Sequence, residues 1–128
     1  MNKGLRDRVR KRADNRCEYC GLVQKHSPVA RLQIEHIVPL KHGGTSHFEN
    51  LALACIDCNL HKGTNLTGID PESGMVVKLF HPRLQAWADH LERQGVEIIG
   101  RTPTGRASVR VLELNSEDRL WVRLAVGK

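Results

Sequence analysis

The stretch Cys55-Ile-Asp-Cys58-Asn-Leu-His-Lys62-Gly63 contains two cysteines separated by two residues, and Cys17-Glu-Tyr-Cys20-Gly21 contains a second such pair. These are all the cysteines of the chain. Two C-x-x-C pairs supply four soft thiolates, which is enough to close a tetrahedral site. The spacing therefore predicts a structural Zn²⁺ bound by all four cysteines. The alternative is a set of buried structural cysteines without metal.

The interval between the two cysteine pairs is longer than in an ordinary zinc ribbon, so a folded element should lie within it. Residues 31–40 are rich in β-branched side chains and predict a strand that ends near His36. A wide loop containing Gly43-Gly44, a short strand at 51–54 and a helix at 55–62 should follow. The predicted order is strand, loop, strand, helix.

The chain has 128 residues, which fits one compact domain, and its formal charge is +6. Seven of the first sixteen residues are lysine or arginine, and a helix is expected over residues 5–16. Such a cluster favours a phosphate-bearing partner. An ordinary solvated basic surface explains the charge equally well.

The N-terminus is charged and lacks the apolar run of a signal peptide, and no stretch approaches the ~20 apolar residues of a membrane span. Paired cysteines in a chain of this kind indicate metal binding and a reducing compartment. We therefore expect a cytoplasmic protein that does not contact a membrane.

The C-terminal half, residues 66–128, predicts a mixture of strands and helices. The turn Gly68-Ile-Asp-Pro-Glu-Ser-Gly74 should join a hairpin to the apolar run at 75–80. A helix is expected at 82–94, a strand at 96–99 and a last helix at 117–126. Residues 106–114 fit a strand or a helix, and the helix is favoured. The fold class is α+β, with this extension expected to pack on the zinc-bound core in a single domain, 1–128.

Over residues 17–63 the sequence resembles the HNH endonucleases, in particular free-standing bacterial members. The resemblance is carried by Glu35-His36-Ile-Val-Pro-Leu40, Gly43-Gly44, Asn50-Leu51 and Cys58-Asn59-x-x-Lys62-Gly63, which occur in this order. Asn50 follows His36 by fourteen residues, and Asn59 follows Asn50 by nine. The resemblance implies a ββα-metal core over residues 17–63 that is stabilised by two zinc knuckles.

It also implies catalytic roles. His36 would be the general base that takes a proton from water, as a neutral imidazole can near pH 7. A hard divalent cation, Mg²⁺ or Mn²⁺, would be held by oxygen atoms of Glu35 and Asn59. Asn50 would hold the backbone around the histidine.

Two positions depart from the commonest form of the motif, since Glu35 stands where aspartate is more usual and Asn59 where many members have histidine. The asparagine favours Mg²⁺ or Mn²⁺ over a softer metal. His61 is an alternative to Asn59, although two residues along a helix it faces another direction. Lys62 would contact phosphate or simply complement the helix end.

The resemblance thus implies an endonuclease that cleaves DNA with little sequence preference. It does not indicate an oligomeric state. One alternative is a non-catalytic zinc module that binds nucleic acid, in which Glu35-His36 remains only as structure. A zinc domain that binds protein is a third possibility, and it predicts no salt-dependent affinity for DNA.

Overall fold

The structure, a computed structural model, describes residues 1–27 and 30–127. Its contacts divide the chain into two compact units, Met1–Thr64 and Asn65–Lys128. The expectation of a single domain with the extension packed on the core stays a prediction.

The first unit begins with helix α1, Lys3–Arg12, whose first turn is capped by the Asn2 side chain accepting from the Leu5 amide at 2.8 Å. The helix starts two residues earlier and ends four residues earlier than expected. Its end has a local cause, because Asp14 and Asn15 take left-handed φ values of 55° and 52° that no helix can continue through.

Strands β1, Gln33–His36, and β2, Leu51–Ala54, form an antiparallel pair in which Glu35 lies opposite Ala52 and His36 opposite Leu51. Every residue of β2 is buried, which explains its apolar run. Helix α2, Ile56–Lys62, follows directly and ends at Gly63. The predicted order of strand, loop, strand and helix is confirmed, as is the α+β class.

The Gly43-Gly44 pair shapes the loop between β1 and β2. Gly43 has a φ of 85° and ends a single turn of 3-10 helix, Leu40–His42. A Cβ atom on Gly44 would lie 1.7 Å from the carbonyl oxygen of Val38, so no other residue fits there without moving the backbone. The pair therefore allows the loop to fold back on the segment that follows His36.

The described residues of the second unit, 65–127, form two hairpins and three helices. Strands β3, Thr67–Ile69, and β4, Val76–Lys78, form the expected first hairpin. Strands β5, Leu91–Gln94, and β6, Glu97–Gly100, form the second. The helices are listed in chain order: α3, Trp87–His90; α4, Pro103–Val111; α5, Glu117–Ala125.

The predicted helix at 82–94 is wrong. Only one helical turn, α3, forms there, and the residues from Leu91 onward are a strand. Leu84, which contributed to the apparent helical periodicity, is 80% exposed. Gly95 takes a φ of 63° and opens a two-residue turn, so strand pairing across it prevails over helical spacing. The helices expected near 106–114 and 117–126 are present as α4 and α5.

Among residues 1–27 and 30–127, no helix combines the length and the apolar character needed to cross a lipid bilayer.

Candidate active site and metal centre

The four cysteines converge in the first unit. Their ligand atoms all lie within 4.8 Å of one another, and all four residues are buried. Within the described part of the chain, this is the one group of three or more histidine, cysteine or acidic side chains close enough to share a metal ion. The two C-x-x-C pairs are thus brought together across the insert, as the sequence predicted.

The geometry of the cluster suits Zn²⁺. Two sulfur atoms, each about 2.3 Å from a tetrahedral zinc, lie roughly 3.8 Å apart, and the Sγ atoms of Cys20 and Cys55 are 3.7 Å apart. Burial raises the pKa of the Cys17 thiol well above its usual value, so a buried thiolate here requires a compensating cation. The donor set and its spacing therefore fit a closed structural zinc site.

The two residues between the cysteines of the first knuckle, Glu18 and Tyr19, form hydrogen bonds with the rest of the unit. The carboxylate of Glu18 accepts a hydrogen bond from the Leu53 amide at 2.8 Å. The hydroxyl of Tyr19, which is 1% exposed, donates to Glu35 Oε1. The sequence-based interpretation missed Tyr19; its position inside a C-x-x-C pair was the one signal that could have found it.

Glu35 is buried, with 5% of its surface exposed. Its Oε2 lies 3.1 Å from Nζ of Lys62, which is 3% exposed. Burial raises the pKa of the Glu35 carboxyl above its usual value, while the Lys62 charge and the Tyr19 hydroxyl oppose this rise. The side chain predicted to bind a catalytic cation is therefore engaged in a buried ion pair.

Lys62 makes two further contacts. Its ammonium donates to the carbonyl oxygen of Ile37 at 2.8 Å and to that of His36 at 3.2 Å. With Glu35 this gives three acceptors for the three N–H donors of an ammonium group. The last residue of α2 thus links that helix to the end of β1.

Asn59 lies one helical turn before Lys62 and faces the same strand. Its Nδ2 donates to Oε1 of Gln33 at 2.7 Å. Gln33 and Glu35 alternate along β1 and so share one face. Glu35, Asn59, Gln33 and Lys62 therefore meet between β1 and α2.

His36 follows Glu35 on the strand, so its side chain leaves from the opposite face. It is partly exposed, and its Nε2 lies 2.9 Å from Oγ of Ser46 in the loop before β2. Because β1 ends at His36, the direction of the ring depends on the loop that carries Ser46 as well as on the strand. Ser46 was not foreseen from the sequence, because loop geometry alone brings it to the ring.

The Asn50 side chain holds the segment after His36. Its Oδ1 accepts from the Val38 amide at 2.9 Å, and its Nδ2 donates to the carbonyl oxygens of Val38 at 2.9 Å and Thr45 at 2.7 Å. The backbone of Asn50 also accepts from the Ile37 amide at 2.8 Å. These bonds tie together the two ends of the loop that contains Ser46.

Part of the basic cluster on α1 is structural. Arg10 donates to the carbonyl oxygen of Leu32 at 2.8 Å, and Arg12 donates to that of Phe48 at 2.9 Å. The guanidinium groups of Arg8 and Arg12 lie over the Phe48 ring, 4.1 and 3.8 Å from its centre. Arg6, Lys11 and Arg16 are exposed.

A comparison with known families finds a match over most of the first unit. Residues 17–65 match the family model described as HNH endonuclease. These residues form an HNH domain. The matched segment runs from the first zinc knuckle through β1, β2 and α2 to just beyond the end of that helix.

A curated relative extends the similarity beyond the HNH domain. The Septu protein PtuB of Bacillus thuringiensis is 25% identical to this chain over 118 residues. The alignment covers 90% of this chain and 43% of PtuB, so the chain spans less than half the length of this relative. No solved structure matches the chain.

An HNH domain implies a divalent cation in addition to zinc. The chemistry of the face between β1 and α2 fits a hard ion, since Glu35, Asn59 and Gln33 all carry side-chain oxygen atoms there. A positive charge is already present at this face, however, because Lys62 is paired with Glu35. The ligand roles of Glu35 and Asn59 stay predictions, and His61, partly exposed on α2, stays an alternative.

Proposed function

We propose that this protein is a metal-dependent endonuclease that hydrolyses phosphodiester bonds of DNA, with His36 as general base. The observation that carries the proposal is the placement of His36. Its ring lies at the end of β1, partly exposed and in contact with the Ser46 hydroxyl, within a matched HNH domain. A neutral imidazole in that position can take a proton from an attacking water.

The residues around His36 act as positioning groups in this proposal. Lys62 binds the carbonyl oxygens of His36 and Ile37, and Asn50 binds both polar backbone atoms of Val38. Three consecutive residues are therefore fixed by side chains from α2 and from the loop. General-base catalysis depends on such fixed geometry, because a small displacement of the base lowers the rate of proton transfer.

Glu35 and Asn59 are the proposed ligands of a Mg²⁺ or Mn²⁺ ion, with Gln33 beside them. When bound, such an ion would stabilise the negative charge that develops on phosphate and leaving oxygens. Neutral and carboxylate oxygen donors without thiolate or histidine favour these hard ions.

DNA is the proposed substrate, bound with little sequence preference. Exposed basic side chains on and after α1 can neutralise backbone phosphates, which carry no sequence information. We further propose that the protein acts in the cytoplasm, where four reduced thiols remain available to bind zinc.

Nicking of supercoiled plasmid tests the proposal. Zinc-loaded protein should nick the plasmid with Mg²⁺ or Mn²⁺ present and should not when the added ion is omitted. His36→Ala should lower the rate about 10²- to 10⁴-fold with zinc content unchanged. His47→Ala, at an exposed histidine of the same loop, is the matched control and should nick like wild type. Equal rates for wild type and His36→Ala would overturn the proposal.

A second candidate is a non-catalytic zinc module that binds nucleic acid. The burial of Glu35 against Lys62 favours it, because a paired carboxylate can serve the fold without binding a metal. This candidate predicts salt-dependent binding to DNA but no nicking with any divalent ion.

A further inference from the structure

Lys62 and Glu35 form an ion pair that solvent does not screen. The two side chains are 3% and 4% exposed, and their charged atoms are 3.1 Å apart. Three further polar side chains contact this pair or lie beside it on the same face, Tyr19, Asn59 and Gln33, and all three are uncharged. Among these five described side chains, one negative and one positive charge lie in contact and cancel.

This cancellation matters for any divalent ion that uses Glu35 as a ligand. The ion would experience the ammonium of Lys62 at close range in a medium of low effective dielectric constant, where charge repulsion is strong. Lys62 is also held by the carbonyl oxygens of His36 and Ile37, so it is anchored beside Glu35 by more than the ion pair. A neutral face of this kind attracts a divalent cation weakly.

A phosphodiester at the site would change this balance, since each phosphate of a nucleic acid carries one negative charge. We propose that Lys62 keeps the face formed by Glu35 and Asn59 in a low-affinity state for divalent cations, and that bound DNA supplies the negative charge needed for tight binding. The inference rests on the proposed function. If it holds, the divalent ion and the nucleic acid bind cooperatively. Each then raises the affinity of the protein for the other by the same factor.

Binding of Mn²⁺ to zinc-loaded protein tests the inference without using cleavage as the readout. The free Mn²⁺ concentration is followed by electron paramagnetic resonance in a His36→Ala background, with and without a DNA duplex. The same titration with His36→Ala/Glu35→Gln gives the Mn²⁺ bound by the DNA itself. We expect affinity at the Glu35 site to rise about tenfold or more when DNA is present.

Variants of Lys62 provide the second arm, measured without DNA. Lys62→Met removes the charge and keeps most of the side-chain volume, so Mn²⁺ should bind about tenfold or more tightly than to protein with Lys62 intact. Lys62→Arg retains the charge and should bind as weakly as the unsubstituted protein. Lys78→Met, at an exposed lysine of β4, is the matched control and should leave Mn²⁺ affinity unchanged.

The outcomes separate the inference from the proposed function. Mn²⁺ affinity that is independent of DNA, or unaltered in folded and zinc-replete Lys62→Met, overturns the inference. If Lys62→Met loses zinc or fails to fold, the Mn²⁺ titrations with and without DNA test the inference by themselves, because they use protein with the native lysine. Nicking that is unaffected by His36→Ala would instead overturn the proposed function, whatever the Mn²⁺ titrations show.

Discussion

The hydroxyl of Tyr19 donates a hydrogen bond to the carboxylate of Glu35, and both side chains are buried. Tyr19 lies between the two cysteines of the first knuckle, and Glu35 lies on β1 immediately before His36. The contact joins the metal centre to the strand that carries the proposed base. Burial, together with the nearby Glu35 charge, raises the pKa of Tyr19 well above its usual value, so the phenol remains a donor.

Tyr19→Phe removes this donor and little else. The buried Glu35 carboxylate would lose one of its two side-chain partners, which we expect to lower the free energy of unfolding by about 1–3 kcal/mol. Urea unfolding of zinc-loaded protein measures the change. Zinc content should stay at wild-type level, since no cysteine is altered; an unchanged unfolding free energy would show that the contact contributes nothing.

Asn50→Asp keeps the shape of the side chain but replaces its two N–H donors with a second acceptor oxygen. The carbonyl oxygens of Val38 and Thr45 would then face a carboxylate, and the loop beside His36 should shift. We expect slower plasmid nicking, with kcat reduced more than KM is raised.

Asn115 in the second unit provides a matched control for that experiment. It makes the same pair of bonds to one residue, accepting from the Ile98 amide at 2.9 Å and donating to its carbonyl oxygen at 2.8 Å. Asn115→Asp should therefore reduce stability without reducing kcat. Equal kcat values for the two variants would argue against a positioning role for Asn50.

Removal of zinc should unfold the HNH domain. Structural zinc contributes on the order of ten kcal/mol to a small site, and the four thiols here join the two knuckles across β1, the following loop and β2. Hydrogen exchange of peptides from residues 17–63, measured by mass spectrometry with and without a chelator, should show loss of protection in β1, β2 and α2. Cys58→Ser should give the same pattern in the presence of zinc, whereas retained protection would exclude a structural metal.

Asp70 should make the stability of the second unit sensitive to acid. Its carboxylate is buried and accepts from Arg106 Nε at 2.8 Å and Nη2 at 3.1 Å, and these bonds hold its pKa well below the ordinary value of 3.8. A carboxyl whose pKa is lower in the folded state adds stability above its unfolded pKa, and this stability is lost as the pH falls toward the folded value. The free energy of unfolding should therefore decrease below about pH 4.

Asp70→Asn removes that titration and should flatten the acid side of the stability curve, while lowering stability at neutral pH. Asp89→Asn, at an exposed aspartate of α3, should leave the shape of the curve unaltered. Unfolding curves recorded between pH 2 and pH 7 compare the three proteins. The same acid slope in wild type and Asp70→Asn would contradict the assignment.

In the second unit, local sequence patterns were insufficient to predict the structure of residues 82–94. Leu84, Trp87, Ala88 and Leu91 have helical spacing, yet the chain forms one helical turn and then a hairpin through Gly95. Strand pairing between residues on either side of a turn is a tertiary gain that local periodicity does not measure. By contrast, the turn at 68–74 was predictable, because proline and glycine act on their own neighbours.

In the first unit, the sequence by itself determined the four-cysteine cluster, the order of β1, β2 and α2, and the place of His36 at the end of a strand. These features depend on local backbone preference and on a metal that requires four thiolates together. The tertiary structure decided which groups Glu35 meets, because the partners come from a knuckle sixteen residues before it and a helix twenty-seven residues after it. A buried carboxylate takes whichever donors the packing brings to it, and such long-range contacts leave no periodic pattern in the sequence.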